Sequence, residues 1–94
     1  MAISKSFSTI RKETNRRGAD FLRIDSHVGL TFSGLALAAT DQEGRRRTTG
    51  IARRAHDTIM RLRQKIKLTD TQTTELDRNL LRLKRELQTL GEAF

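Results

Sequence analysis

Apolar residues recur at three- and four-residue steps in three separate stretches of the chain. In the first stretch, about residues 19–40, the recurring residues are Phe21, Ile24, Val28, Phe32, Leu35 and Ala39. This spacing follows one face of an α-helix, which completes a turn every ~3.6 residues. The pattern predicts a helix whose core face is made of these side chains.

Two leucines of the same stretch fall outside that face. Leu30 and Leu37 lie on the opposite side of the predicted helix, beside Ser26 and Ser33. A helix that is apolar on two sides is either central in a bundle or in contact with a second chain. We therefore predict that Leu30 and Leu37 form an association face, and the simplest partner is a second copy in a two-fold homodimer.

Capping residues separate the second and third stretches. Asp41 can cap a helix from about residue 42 to residue 67, whose apolar face is Ile51, Ala52, Ala55, Ile59, Leu62 and Ile66. Thr69 and Gln72 have the spacing of a capping box at the start of a third helix, over about residues 70–90. That helix carries Leu76, Leu80, Leu83, Leu87 and Leu90, and Gly91 follows as a stop signal.

Three amphipathic helices joined by short connections predict an all-α, three-helix antiparallel bundle over residues 19–94. Residues 1–18 are rich in serine, threonine and basic residues and carry few apolar ones, so they are predicted to form a flexible basic arm. The length of 94 residues allows one domain.

Composition narrows the classes of function. The chain has no cysteine, which excludes disulfides and thiolate zinc sites, and it has no proline. The uncharged run VGLTFSGLALAAT is shorter than the roughly 20 residues that cross a bilayer, and charged residues precede it. The expectation is a cytoplasmic protein without a membrane span.

The residue types offer little for catalysis or metal binding. No cysteine nucleophile, glycine-rich phosphate loop or H-E-x-x-H pattern is present. In an antiparallel hairpin His27 and His56 come to similar levels, but neither lies on its helix's apolar face and no H-x-x-x-H pair exists. We expect no enzymatic activity, no cofactor and no metal site.

The net charge of +8 is concentrated in the arm and the second helix. Arg47, Arg54, Arg61 and Lys65 cluster on the side of that helix opposite Ile59 and form a basic stripe. The stripe is either solvated or turned towards an acidic protein surface, which is the interpretation we favour. The alternative is sequence-independent nucleic-acid binding through the second helix and the arm.

From Leu35 onward the chain resembles the microtubule-interacting-and-transport (MIT) domain and the wider class of tetratricopeptide-like helical hairpins. The segments that carry this resemblance are LALAATDQEG, ARRAHDTIMRL and LDRNLLRLKRELQTLGE. It implies small alanines where the first two helices touch, here Ala36, Ala39, Ala52 and Ala55, and a turn at residues 41–44. The chain departs from the pattern of these domains at His56, where they commonly carry a tyrosine-like aromatic residue.

These domains are typically non-enzymatic and bind short partner segments in grooves between helices. The lack of catalytic residues and the apolar surface at Leu30 and Leu37 predict a small non-catalytic helical protein-interaction module that associates with itself.

Overall fold

The computed structural model describes the backbone of residues 2–94 and the side chains of residues 12–94. Helix α1 spans Ala2–Ala38, α2 spans Gln42–Leu62, and α3 spans Asp70–Thr89, with a short 3-10 turn at Arg63–Lys65 after α2. Within residues 2–94 there is no β-strand. The predicted all-α bundle of three antiparallel helices is confirmed.

Helix α1 begins much earlier than the sequence pattern indicates. It continues through the predicted arm, and Asn15 joins this part of α1 to the connection between α2 and α3. The Asn15 side-chain amide donates to the Lys67 carbonyl oxygen at 2.7 Å, and its oxygen accepts from the Lys67 backbone N–H at 2.7 Å. The flexible arm was predicted over residues 1–18, whereas residues 2–18 are helical. Met1 and the side chains before Lys12, including those of Lys5 and Arg11, lie outside the described residues.

The core face of α1 is not the one that its large apolar residues predict. Its buried positions, at three- and four-residue steps, are Ala19, Leu22, Ser26, Gly29, Ser33 and Ala36. These residues are small enough for α2 and α3 both to pack closely on α1. A Cβ atom added to Gly29 would lie 2.7 Å from Leu83 Cδ2 and 3.4 Å from Ala55 Cβ, so a larger residue here would require the Leu83 side chain to shift.

Two buried serines of α1 are satisfied by polar residues of α3. Asn79 donates its side-chain amide to Ser26 Oγ at 3.1 Å, and Ser33 Oγ donates to Glu86 Oε2 at 2.8 Å. The Ser26 hydroxyl donates to the Arg23 carbonyl oxygen, and the single Ser33 hydroxyl hydrogen is shared between Glu86 Oε2 and the Leu30 carbonyl oxygen. Because unpaired buried polar groups are costly, these pairs favour one alignment of α1 against α3.

The other two helices begin where the sequence pattern predicts, although α2 ends at Leu62 and not at about residue 67. Leu76, Leu80, Leu83 and Leu87 are buried against α1 and α2, and Ile59 and Ala52 are fully buried in the same core. Asp41 caps α2 by accepting from the Gly44 N–H at 2.8 Å. The capping box of Thr69 and Gln72 is present at the start of α3.

The C-terminal residues fold back on α2. Arg53 donates to the Ala93 carbonyl oxygen at 2.8 Å and to Glu92 at 3.3 Å, and its guanidinium lies 4.1 Å from the centre of the Phe94 ring. The His56 ring meets the same phenyl ring edge-on at 4.9 Å. These contacts hold the C-terminal residues against the middle of α2.

Candidate binding face

Large apolar side chains form an exposed row along α1. Phe21, Ile24, Val28 and Leu35 are 46%, 53%, 36% and 52% exposed, and their spacing places them on one side of the helix. We call these four residues the apolar row. The sequence pattern assigned them to the core, and that assignment is wrong because the small residues of α1 occupy the core instead.

A groove runs between the apolar row and α2. Phe21 and Val28 form its α1 side, Ile51 and Arg54 form its α2 side, and Ala55 and Thr58 complete it. Asp25 also lines this groove, and burial raises the pKa of its carboxyl group. Within residues 12–94 Asp25 has no ion pair, and residues 1–11 contain only basic ionisable side chains.

A row of arginines lies beside the groove on α2. Arg47, Arg54 and Arg61 are exposed and seven residues apart, so they share one side of α2, and we call them the arginine row. Lys65, the fourth residue of the predicted basic stripe, is exposed in the 3-10 turn beyond the end of α2.

Most of this positive charge is not neutralised within the chain. Arg47 approaches Glu43 at 3.7 Å, with both side chains largely exposed. Arg54 and Arg61 have no acidic partner among residues 12–94, and no acidic residue precedes Lys12 in the sequence. Asp57, the nearest acid in the sequence, pairs with other residues.

Asp57 is held by Arg53 at 3.1 Å and by His56 Nδ1 at 3.0 Å. Desolvation by burial acts to raise the pKa of its carboxyl group. The hydrogen bonds and positive charges of His56 and Arg53 outweigh that effect, so the pKa lies below its usual range. Asp57 therefore pairs with Arg53 and His56 rather than with Arg54 or Arg61.

Leu30 and Leu37, the predicted association face, do not form one exposed surface. Leu30 is partly buried against the core residues Ala52, Leu83 and Leu87, while Leu37 is 42% exposed. The two leucines have different surroundings because Leu30 lies close to the buried face of α1.

The two histidines have separate partners. His27 is exposed on α1 and lies 3.9 Å from Glu75 of α3, whereas His56 is buried beside Asp57 and Phe94. A search of residues 12–94 finds no group of three or more histidine, cysteine, aspartate or glutamate residues that could hold a metal ion.

The sequence contains a signal for the true core of α1 that the hydrophobic pattern obscures. Residues 19, 22, 26, 29, 33 and 36 repeat at three- and four-residue steps just as the larger apolar residues do, and most of them are small. The polar residues Asn79 and Glu86 on α3 repeat at the same seven-residue distance as Ser26 and Ser33. Matching these two repeats would have predicted which face of α1 meets α3.

Comparisons with known proteins return no matching family model, no matching curated protein and no matching solved structure. Among the helices of the described residues, none has both the length and the apolar character needed to cross a bilayer.

Proposed function

We propose that this chain is a non-catalytic helical module that binds another protein through the apolar row and the adjacent groove. The observation that carries the proposal is the arrangement of α1, which turns small residues inward and four large apolar residues outward. Large apolar side chains exposed along one side of a helix are typical of an interaction site.

The energy available from the row is appreciable. Fully burying a valine, leucine, isoleucine or phenylalanine side chain contributes about 1.5–3 kcal/mol. The four side chains are between one third and one half exposed, so covering the remainder would contribute about 3–5 kcal/mol in total. That gain is a useful part of a specific interface once polar contacts at the edge are added.

Sequence-independent nucleic-acid binding is the second candidate. It is supported by Arg54 and Arg61, which are exposed and have no acidic partner among the described residues. The apolar row argues against it, because the apolar side chains beside Arg54 gain nothing from a phosphate backbone. Asp25 in the groove would also repel phosphate groups.

Photo-crosslinking in the cells that make the protein tests the proposal. Ile24 in the apolar row is replaced by photo-leucine, and Leu81 on α3, which is 51% exposed, is replaced in a matched control. We expect protein adducts from position 24 that are absent from position 81. Equal adducts at both positions would contradict the proposal, and adducts to nucleic acid alone would support the second candidate instead.

A further inference from the structure

We propose that the partner of this face is an amphipathic helix with acidic residues along one edge of its apolar side. This inference rests on the proposed function and names the chemistry of the partner. It follows from the way the apolar row and the arginine row are placed relative to each other.

The two rows run side by side in matching steps. Val28 and Arg54 line the same groove. Because α1 and α2 are antiparallel, a step of seven residues from this pair moves in opposite chain directions on the two helices. The step towards the turn places Leu35 level with Arg47, and the step away from the turn places Phe21 level with Arg61. Each of three levels, roughly 10.5 Å apart, thus presents one apolar side chain and one guanidinium group.

A partner helix repeats its side chains at the same distance. Apolar residues at heptad spacing would lie on the apolar row and in the groove, and carboxylates on the adjoining edge would meet the guanidinium groups. Arginine pairs with carboxylates in a bidentate geometry, which gives this edge orientation as well as attraction. The unneutralised charge of Arg54 and Arg61 makes an acidic partner the complementary one.

A second copy of the chain does not complement the face. With a two-fold axis across the helices, the arginine row of one copy would lie on the arginine row of the other. With a two-fold axis along the helices, the arginine row would lie on the apolar row. Neither arrangement supplies carboxylates to the guanidinium groups, and each copy already carries a net charge of +8.

Asp25 distinguishes a helix from a uniformly anionic surface. It lies in the groove between the two rows, beside Phe21 and Val28. A phosphate backbone or an anionic bilayer would place negative charge against this carboxylate, whereas a helix can place a hydrogen-bond donor there and its acids at the arginine row. The face therefore fits a partner whose charge is confined to one edge.

The test uses the full-length chain and three synthetic peptides of three heptads, about 21 residues each. The first has leucine at the two apolar heptad positions and glutamate at the flanking positions. The second has lysine in place of glutamate, and the third has the composition of the first with leucine and glutamate scrambled around the helix. Binding is followed by fluorescence anisotropy of a dye on each peptide at moderate salt.

We expect the acidic amphipathic peptide to bind at least tenfold more tightly than either of the other two. The double variant Arg54→Gln/Arg61→Gln should weaken this binding at least tenfold. Arg78→Gln/Arg85→Gln, which removes two exposed arginines with the same spacing from α3, should leave it unchanged. Ile24→Ser/Leu35→Ser should weaken it as well, since it removes exposed apolar side chains without touching the core.

Equal binding of the scrambled peptide, or equal loss in the α3 control variant, would overturn the inference. Displacement of the peptide by mixed-sequence duplex or by anionic vesicles at lower concentration would also overturn it, in favour of a phosphate-bearing partner. A dimer in light scattering that Ile24→Ser abolishes would identify a second copy as the occupant and overturn it too.

The failure of this inference is distinguishable from failure of the proposed function. Protein adducts at position 24 together with no peptide binding would remove the acidic helix and leave the interaction module. Absence of protein adducts specific to position 24 would remove both.

Discussion

Replacement by alanine is expected to lower the stability of the protein at Gly29 and to raise it at Gly34, although both glycines lie in α1. At Gly29, a new Cβ atom lies 2.7 Å from Leu83 Cδ2 and 3.4 Å from Ala55 Cβ. Leu83 is fully buried, so its side chain cannot turn into solvent to make room. Overpacking of this kind lowers the free energy of unfolding by about 1–3 kcal/mol, and the better helix propensity of alanine raises it by about 1 kcal/mol. Gly29→Ala should therefore lower the free energy of unfolding by about 0–2 kcal/mol.

Gly34→Ala is the matched control in the same helix. No atom lies within 4 Å of a Cβ added at Gly34, so alanine gains its helix propensity without a clash. We expect a rise of about 0.5–1 kcal/mol in the free energy of unfolding. The two variants should thus differ by about 0.5–3 kcal/mol.

Urea denaturation followed by far-ultraviolet circular dichroism measures both changes, since the chain has neither tryptophan nor tyrosine as a fluorescent probe. If Gly29→Ala stabilised the protein as much as Gly34→Ala, the close approach of α1 and α3 at this crossing would be refuted.

Three further changes test the polar contacts by the same urea assay. Ser33→Ala should lower the free energy of unfolding by about 1–3 kcal/mol, because the mostly buried Glu86 carboxylate loses its hydroxyl donor; no loss would contradict that pairing. Asp57→Asn should destabilise by at most about 0.5 kcal/mol at neutral pH, since the Asp57 side chain is 57% exposed and solvent screens its ion pairs. The pKa of the Asp57 carboxyl is lower in the folded protein than in the unfolded chain, so its stabilising contribution is present above the unfolded pKa and is lost as pH falls through the folded pKa. A destabilisation by Asp57→Asn that persists in acid would contradict this reasoning. Asp25→Asn should stabilise the protein at neutral pH, because burial raises the pKa of the Asp25 carboxyl in the folded state. The destabilisation from the buried carboxylate grows as pH rises through the unfolded and then the folded pKa. Unchanged stability at neutral pH would show that Asp25 is as well solvated in the fold as in the unfolded chain.

The sequence predicted α2 and α3 well because their signals are local and unambiguous. Asp41 and Thr69 are N-caps whose hydrogen bonds depend on residues three positions away. The leucines of α3 have no competing apolar face, so the helix buries them. Caps and a single apolar stripe are sufficient to place such helices.

The face of α1 could not be read from hydrophobicity alone. Large apolar residues dominate a hydrophobic pattern, and on α1 four of them, Phe21, Ile24, Val28 and Leu35, are exposed. Burial on α1 is decided by how closely α2 and α3 can approach, which favours Gly29 and Ala36, and by polar partners for Ser26 and Ser33. These are tertiary effects, and no single stretch of sequence contains them.

The candidate site was predicted in part for the same reason. Arg47, Arg54 and Arg61 could be placed on one side of α2 from their seven-residue spacing. Their apolar neighbours were assigned to the core, so the juxtaposition of an apolar row with an arginine row became visible only in the fold.

Cysteine labelling of α1 tests the central claim, that its large apolar residues face outward to meet a partner, most directly. The chain has no cysteine, so Ile24→Cys and Ser26→Cys each introduce a single thiol. With a maleimide reagent under native conditions, we expect the thiol at position 24 to react rapidly and the one at position 26 to be protected. Adding the acidic amphipathic peptide should slow labelling at position 24. Rapid labelling at position 26 with protection at position 24 in the free protein would contradict the account.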